Sequence, residues 1–73
     1  MVTVYTNPSC VQCDMTKKFL NNKNIPYETV DLSTDQKALD LVLSYGFKAA
    51  PVVVTPTDKW SGFKVDKLNG LLA

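Results

Sequence analysis

Val2-Thr3-Val4-Tyr5-Thr6-Asn7-Pro8-Ser9-Cys10-Val11-Gln12-Cys13 runs from strand residues through a turn into a helix and sets two thiols at the join. Val2 to Tyr5 are β-branched and aromatic types, which predicts a strand. Thr6-Asn7-Pro8-Ser9 is turn chemistry. From about Val11 to Lys23 the spacing predicts a helix, with Met15, Phe19 and Leu20 on one apolar face. Asn21, Asn22 and Asn24 are expected to fray its end, and Pro26 to stop it, because proline cannot continue the backbone ladder. Cys10 and Cys13 are the only cysteines in the chain.

Outward from this stretch the same alternation continues. Tyr27 to Leu32 predicts a second strand. Ser33 followed by Gln36 forms a capping-box signature for a second helix, whose apolar stripe is Leu39, Val42 and Leu43. Gly46 closes that helix in the left-handed conformation open to glycine. Val52-Val53-Val54 is a continuous apolar run, as suits a strand covered on both faces. Thr55-Pro56-Thr57-Asp58 turns the chain, and Lys59 to Phe63 can return antiparallel. Asp66 is the expected cap of a last helix carrying Leu68, Leu71 and Leu72, weakened by Gly70. The order is βαβαββα, with a βαβ unit first. With a cysteine pair after the first strand, this order resembles the thioredoxin/glutaredoxin fold: an α/β architecture in which three helices flank a four-stranded mixed sheet.

Composition bounds the function. The 73 residues are expected to form one domain, 1–73. A chain of this size buries only about 60% of its unfolded surface, so its core must be efficient. The net charge is +1, with acids and bases interspersed, and no basic patch points to nucleic acid. No apolar run approaches the roughly 20 residues of a membrane span. No signal peptide is visible, so a cytoplasmic location is expected. In a reducing compartment a lone close pair of cysteines points to catalysis or metal binding rather than to a structural bridge.

The thiolate is the attacking species in disulfide exchange. A helix N-terminus favours an anion through its unpaired N–H groups and its dipole, and Cys10 stands at that end. Cys13 follows one turn later on the same face. Cys10 is therefore the expected nucleophile and Cys13 the residue that resolves the mixed disulfide. Asp14 reads as a simple first-turn acid, which stabilises the helix but opposes a thiolate nearby; the alternative is that it assists proton transfer. Haem attachment needs a histidine after the second cysteine; Asp14 stands there and the chain has no histidine. A closed zinc site needs four ligands, so a metal site within one chain would have to recruit carboxylates, and a metal or cluster carrier could otherwise share four thiols between two chains. No metal and no cofactor are expected. Two further stretches stand out. Ala50-Pro51 precedes the buried strand, and in a thioredoxin-like fold this proline is cis and faces the thiols. The Ala50 backbone groups are then free to pair with an extended substrate. Trp60-Ser61-Gly62-Phe63 reads either as core aromatics around a turn or as part of the site.

Taken together, Cys10-Val11-Gln12-Cys13, Ala50-Pro51-Val52-Val53 and Trp60-Ser61-Gly62-Phe63 make the chain similar to the NrdH redoxins, small glutaredoxin-like proteins with thioredoxin-like behaviour. The resemblance covers essentially the whole chain. It implies a monomeric thiol-disulfide oxidoreductase that receives electrons from NADPH through thioredoxin reductase. It further implies that the acceptor is the disulfide of the large subunit of class Ib ribonucleotide reductase. Cys10 and Cys13 become the redox pair and Pro51 the cis-proline. Val11, Gln12, Ala50 and Trp60 to Phe63 become partner-contacting or loop-shaping residues. One departure is visible: the family signature continues with Arg-Pro and an acid, whereas Lys64-Val65-Asp66 follows here. Glutathione is the alternative electron source. Glutaredoxins that use it resemble one another in a Cys-Pro-Tyr-Cys motif and a pair of acids near the last helix; here Val11-Gln12 fills the first, and Asp66 alone remains of the second.

Overall fold

The computed structural model describes residues Met1–Leu72. Four strands, β1 (Val2–Thr6), β2 (Tyr27–Asp31), β3 (Val52–Val54) and β4 (Lys59–Ser61), form one sheet in the order β2-β1-β3-β4. β1 and β2 are parallel, with Val2 opposite Tyr27. β3 is antiparallel to β1, placing Tyr5 opposite Val52, and β4 is antiparallel to β3, placing Val53 opposite Trp60. Helices α1 (Val11–Asn22), α2 (Gln36–Ser44) and α3 (Val65–Asn69) complete the order, and a single 3-10 turn over Gly70–Leu72 follows α3. This is the mixed sheet flanked by three helices that the sequence predicts.

The all-valine strand explains why helices lie on both faces. Alternate side chains of a strand point to opposite sides. Val53 packs with Val4, Leu20 of α1, Trp60 and Leu68 of α3. Val52 packs on the other side with Leu32 and with Ala38 and Val42 of α2. Both valines are fully buried, so the short strand serves two cores.

Several local expectations are revised. On α1 the buried residues are Cys13, Thr16 and Leu20, whereas Met15 is exposed. Apolar type favoured Met15, but the buried face passes through 13, 16 and 20. Thr16 is accommodated because its hydroxyl donates to the Gln12 carbonyl at 2.9 Å. The end of α1 is closed rather than frayed. Asn24 takes φ +56°, Asn24 N–H bonds to Asn21 O and Ile25 N–H to Leu20 O, and Ile25 packs in the cluster around Leu20. That is a Schellman closure with asparagine in the left-handed position. α2 ends the same way on Gly46 at φ +87°, with Gly46 N–H to Leu43 O and Phe47 N–H to Val42 O.

The start of α2 is capped by Asp35, whose carboxylate accepts Ala38 N–H at 3.0 Å. The Ser33 capping box does not form, because Ser33 N–H and Oγ both bond to Asp31 Oδ1 in an Asx-type turn. On α2 the buried residues are Ala38 and Val42, and Leu43 is exposed. Asp66 lies in the first turn of α3 and Lys64 occupies the cap position without a side-chain bond. β4 stops at Ser61 rather than Phe63 because Gly62, at φ +94°, turns the chain out of the sheet. Leu68 is fully buried as expected, but Leu72 is exposed. No helix among the described residues is long and apolar enough to cross a membrane.

Candidate redox site

Cys10 is the N-cap of α1, with extended φ and ψ of −104° and 105°. Ser9 before it takes φ +58°, which swings the chain from the turn into the helix. Cys10 Sγ accepts the backbone N–H of Cys13 at 3.1 Å, and Cys10 O accepts Asp14 N–H at 3.2 Å. The sulfur thus replaces the side-chain oxygen of an ordinary cap. It sits where unpaired N–H groups and the helix dipole favour negative charge. Cys10 and Cys13 are joined as a disulfide, with Cα atoms 5.2 Å apart, inside the range that such bridges span.

The two sulfurs differ in access. Cys13 is 1% exposed and belongs to the buried face of α1, whereas Cys10 is half-buried. A partner therefore meets Cys10 first. Val11 beside it is 72% exposed, an apolar surface next to the reactive atom. Asp14 is drawn outward to Lys17 at 3.4 Å across one helical turn, as suits a first-turn acid.

The Ala50-Pro51 peptide bond is cis and Pro51 is buried. Ala50 N–H and C=O make no backbone hydrogen bond among the described residues, so both are available to an added strand. The Trp60 to Phe63 segment joins this corner to the cysteine helix. Ser61 Oγ donates to Ala49 O at 2.6 Å. Gly62 N–H donates to Pro51 O at 2.7 Å. Phe63 N–H donates to Gln12 Oε1 at 3.1 Å. Trp60 is 3% exposed and packs in the core with Val53 and Leu68. Its part is to anchor the segment; the bonded residues that follow reach the site. The residues between the cysteines, the cis-proline corner and the 61–63 turn therefore form one hydrogen-bonded frame. The sequence reading missed Ala49 and Thr16. Ala49 contributes only its carbonyl, which leaves no mark in residue type, and Thr16 is a polar type whose burial depends on its hydroxyl donating to Gln12 O.

Comparison with known proteins agrees with this geometry. Residues 2–58 match the glutaredoxin family model. Over 70 residues the chain is 34% identical to the glutaredoxin-like protein NrdH of Escherichia coli strain K12, covering 96% of this chain and 86% of that one. It is 35% identical to NrdH of Lactococcus lactis subsp. lactis strain IL1403, over 97% and 99% of the two chains. The chain belongs to the glutaredoxin family, among the NrdH glutaredoxin-like proteins. The structure of Escherichia coli NrdH-redoxin superimposes with a TM-score of 0.93 at 34% identity, over 96% of this chain and 92% of that one. That relative is described as glutaredoxin-like with a thioredoxin-like activity profile. Like the NrdH proteins, the chain is a thiol-disulfide oxidoreductase, with Cys10 and Cys13 as its redox pair.

Proposed function

We propose that the chain is a dithiol electron carrier that takes electrons from NADPH through thioredoxin reductase. On this reading it works as a monomer in the cytoplasm and reduces the disulfide that the large subunit of class Ib ribonucleotide reductase acquires in each turnover. The observation that carries the proposal is the Trp60 to Phe63 segment, tied to both Pro51 and Gln12. The thioredoxin-like activity profile of the Escherichia coli relative supports the choice of electron source.

The steps follow from access and charge. The reduced protein presents Cys10 as a thiolate at the helix N-terminus. It attacks one sulfur of the partner's disulfide, forming a mixed disulfide and releasing the other sulfur as a thiolate that takes up a proton. Cys13, shielded from the partner, loses its proton and attacks Cys10 Sγ. The mixed disulfide breaks, the partner leaves as a dithiol, and Cys10–Cys13 is oxidised. Two electrons have passed to the partner. Thioredoxin reductase returns them by the same chemistry in reverse, at the expense of NADPH.

The test is NADPH consumption with thioredoxin reductase, this protein and oxidised class Ib ribonucleotide reductase, against a parallel assay with glutathione and glutathione reductase. Turnover is expected in the first assay and little in the second. Turnover only with glutathione would assign the chain to the glutathione-dependent glutaredoxins.

A further inference from the structure

The carboxamide of Gln12 is held at one end only. A backbone N–H can only donate, so the atom that meets Phe63 N–H at 3.1 Å is the carbonyl oxygen Oε1. The Nε2 amino group consequently points away from that bond and donates to nothing among the described residues. Gln12 is exposed. A methyl at Gly62 would stand 3.6 Å from Oε1, an ordinary contact, so the turn leaves room for the carboxamide. The next link in the frame is Gly62 N–H to Pro51 O. The side chain is thus fixed by its acceptor, two residues from Cys10, and offers two unpaired donors to whatever docks there. In water those donors cost nothing. Under a docked partner they must be paired, because a buried unpaired donor is destabilising.

We propose that Gln12 is a specificity-determining residue, whose Nε2 donates to a main-chain carbonyl of the polypeptide bound beside Cys10 and so selects peptide disulfides over small ones. A peptide brings a carbonyl with every residue. A small neutral disulfide brings none. The inference rests on the reading of Cys10 as the attacking thiol, and it deepens that reading by assigning the two ends of one amide to different tasks.

The test uses prereduced protein in single turnover, so that no electron source enters. The probes are a synthetic oxidised peptide with one intramolecular disulfide and no charged residue, and bis(2-hydroxyethyl) disulfide. In both, the probe's S–S bond accepts two electrons and is protonated to two thiols as Cys10–Cys13 forms. Gln12→Glu keeps an oxygen for Phe63 N–H but removes both donors. Its added charge acts on the Cys10 thiol alike for the two neutral probes and cancels in the ratio of their rate constants. Gln12→Glu is expected to lower the peptide-to-small ratio about tenfold, the order of one neutral hydrogen bond, with the Phe63 amide as protected from hydrogen exchange as in the parent. Gln12→Met is expected to lower the ratio and lose that protection. An unchanged ratio in Gln12→Glu would overturn the proposal, as would loss of Phe63 protection in it. Parent protein that reduces neither probe would instead overturn the role of Cys10, whereas failure with thioredoxin reductase alone would touch only the electron source.

Discussion

Gly62→Ala tests the frame at the residue whose N–H holds Pro51 O. Gly62 is at φ +94°, where an L-residue is strained. The added methyl would meet only Gln12 Oε1, at 3.6 Å, an ordinary contact. The penalty is therefore conformational rather than steric, about 1–2 kcal/mol. Gly46 isolates the same term, since it has φ +87° and nothing within 4 Å of its missing Cβ. Gly70 is the control. It lies at φ −61° with equally open surroundings, and alanine there is neutral or stabilising by up to about 1 kcal/mol. The assay is urea unfolding of the oxidised protein, followed by the fluorescence of its single tryptophan, Trp60. With a slope of about 1 kcal/mol per molar for so small a chain, Gly46→Ala and Gly62→Ala should each lower the midpoint by about 1–2 M at unchanged slope. The two then diverge in function. Gly62→Ala displaces the N–H that holds Pro51 O and should slow peptide-disulfide reduction, whereas Gly46→Ala should not. Gly62→Ala as stable as the parent, or Gly70→Ala as damaging as Gly62→Ala, would refute the reasoning.

Cys13→Ser should accumulate a mixed disulfide at Cys10 when offered a partner disulfide, and Cys10→Ser should not; mass spectrometry of the trapped adduct decides, and the reverse pattern would exchange their roles. Asp58 is held below the usual aspartate range chiefly by the hydrogen bond from Lys67 Nζ at 2.9 Å and next by Lys59 N–H. Because its folded pKa is depressed, the stabilisation it gives is present above the unfolded value and lost as pH falls through the folded one. Carbon-detected NMR should show the Asp58 midpoint rising in Lys67→Met, and an unmoved midpoint would remove Lys67 as the cause. Asp35→Ala deletes the N-cap of α2 and should cost about 1 kcal/mol in urea unfolding; no loss would mean that the cap is dispensable. Val65→Pro should be tolerated or stabilise by up to about 1 kcal/mol. Val65 is the first residue of α3, a position where proline loses no helical bond, and Lys64 before it is already extended at φ −122° and ψ 100°. A lowered midpoint would show that the Val65 N–H is in use.

The order of elements was legible because periodicity and punctuation agree along the chain. Val52 to Val54 announced a doubly covered strand, and Val52 and Val53 indeed bury on opposite faces. Two of the misreadings turned on which of two competent residues takes a role. Ser33 and Asp35 are both good caps, but Asp31 lies within reach of Ser33 and engages it first. Asn24 reads as a breaker until one sees that it can close α1 in the left-handed conformation. Met15 and Thr16 are adjacent, and only the direction of the α1 axis on the sheet decides which is buried. The site followed the same rule. The thiols are visible as residue types and as a spacing. The hydrogen bonds from Ser61, Gly62 and Phe63 join residues up to 51 positions apart, and two of their three acceptors are main-chain carbonyls that every residue carries.

That dependence on the main chain bears on Lys64-Val65, where the chain departs from the Arg-Pro of the NrdH signature. The frame uses the N–H groups of Gly62 and Phe63, the Ser61 hydroxyl and the Gln12 amide. No side chain beyond Phe63 takes part in these bonds. Lys64 caps α3 with its backbone alone, and Val65 is 43% exposed. A change at these two positions therefore leaves the thiols, the cis-proline corner and the 61–63 turn connected as they are. What it alters is the surface beside them. Lysine keeps a positive charge there but cannot make the planar, paired contacts of a guanidinium to a carboxylate, and valine replaces a rigid ring with an exposed apolar branch. The departure thus changes the surface beside the site, while the bonds that connect Gln12, Pro51 and the 61–63 turn do not involve it.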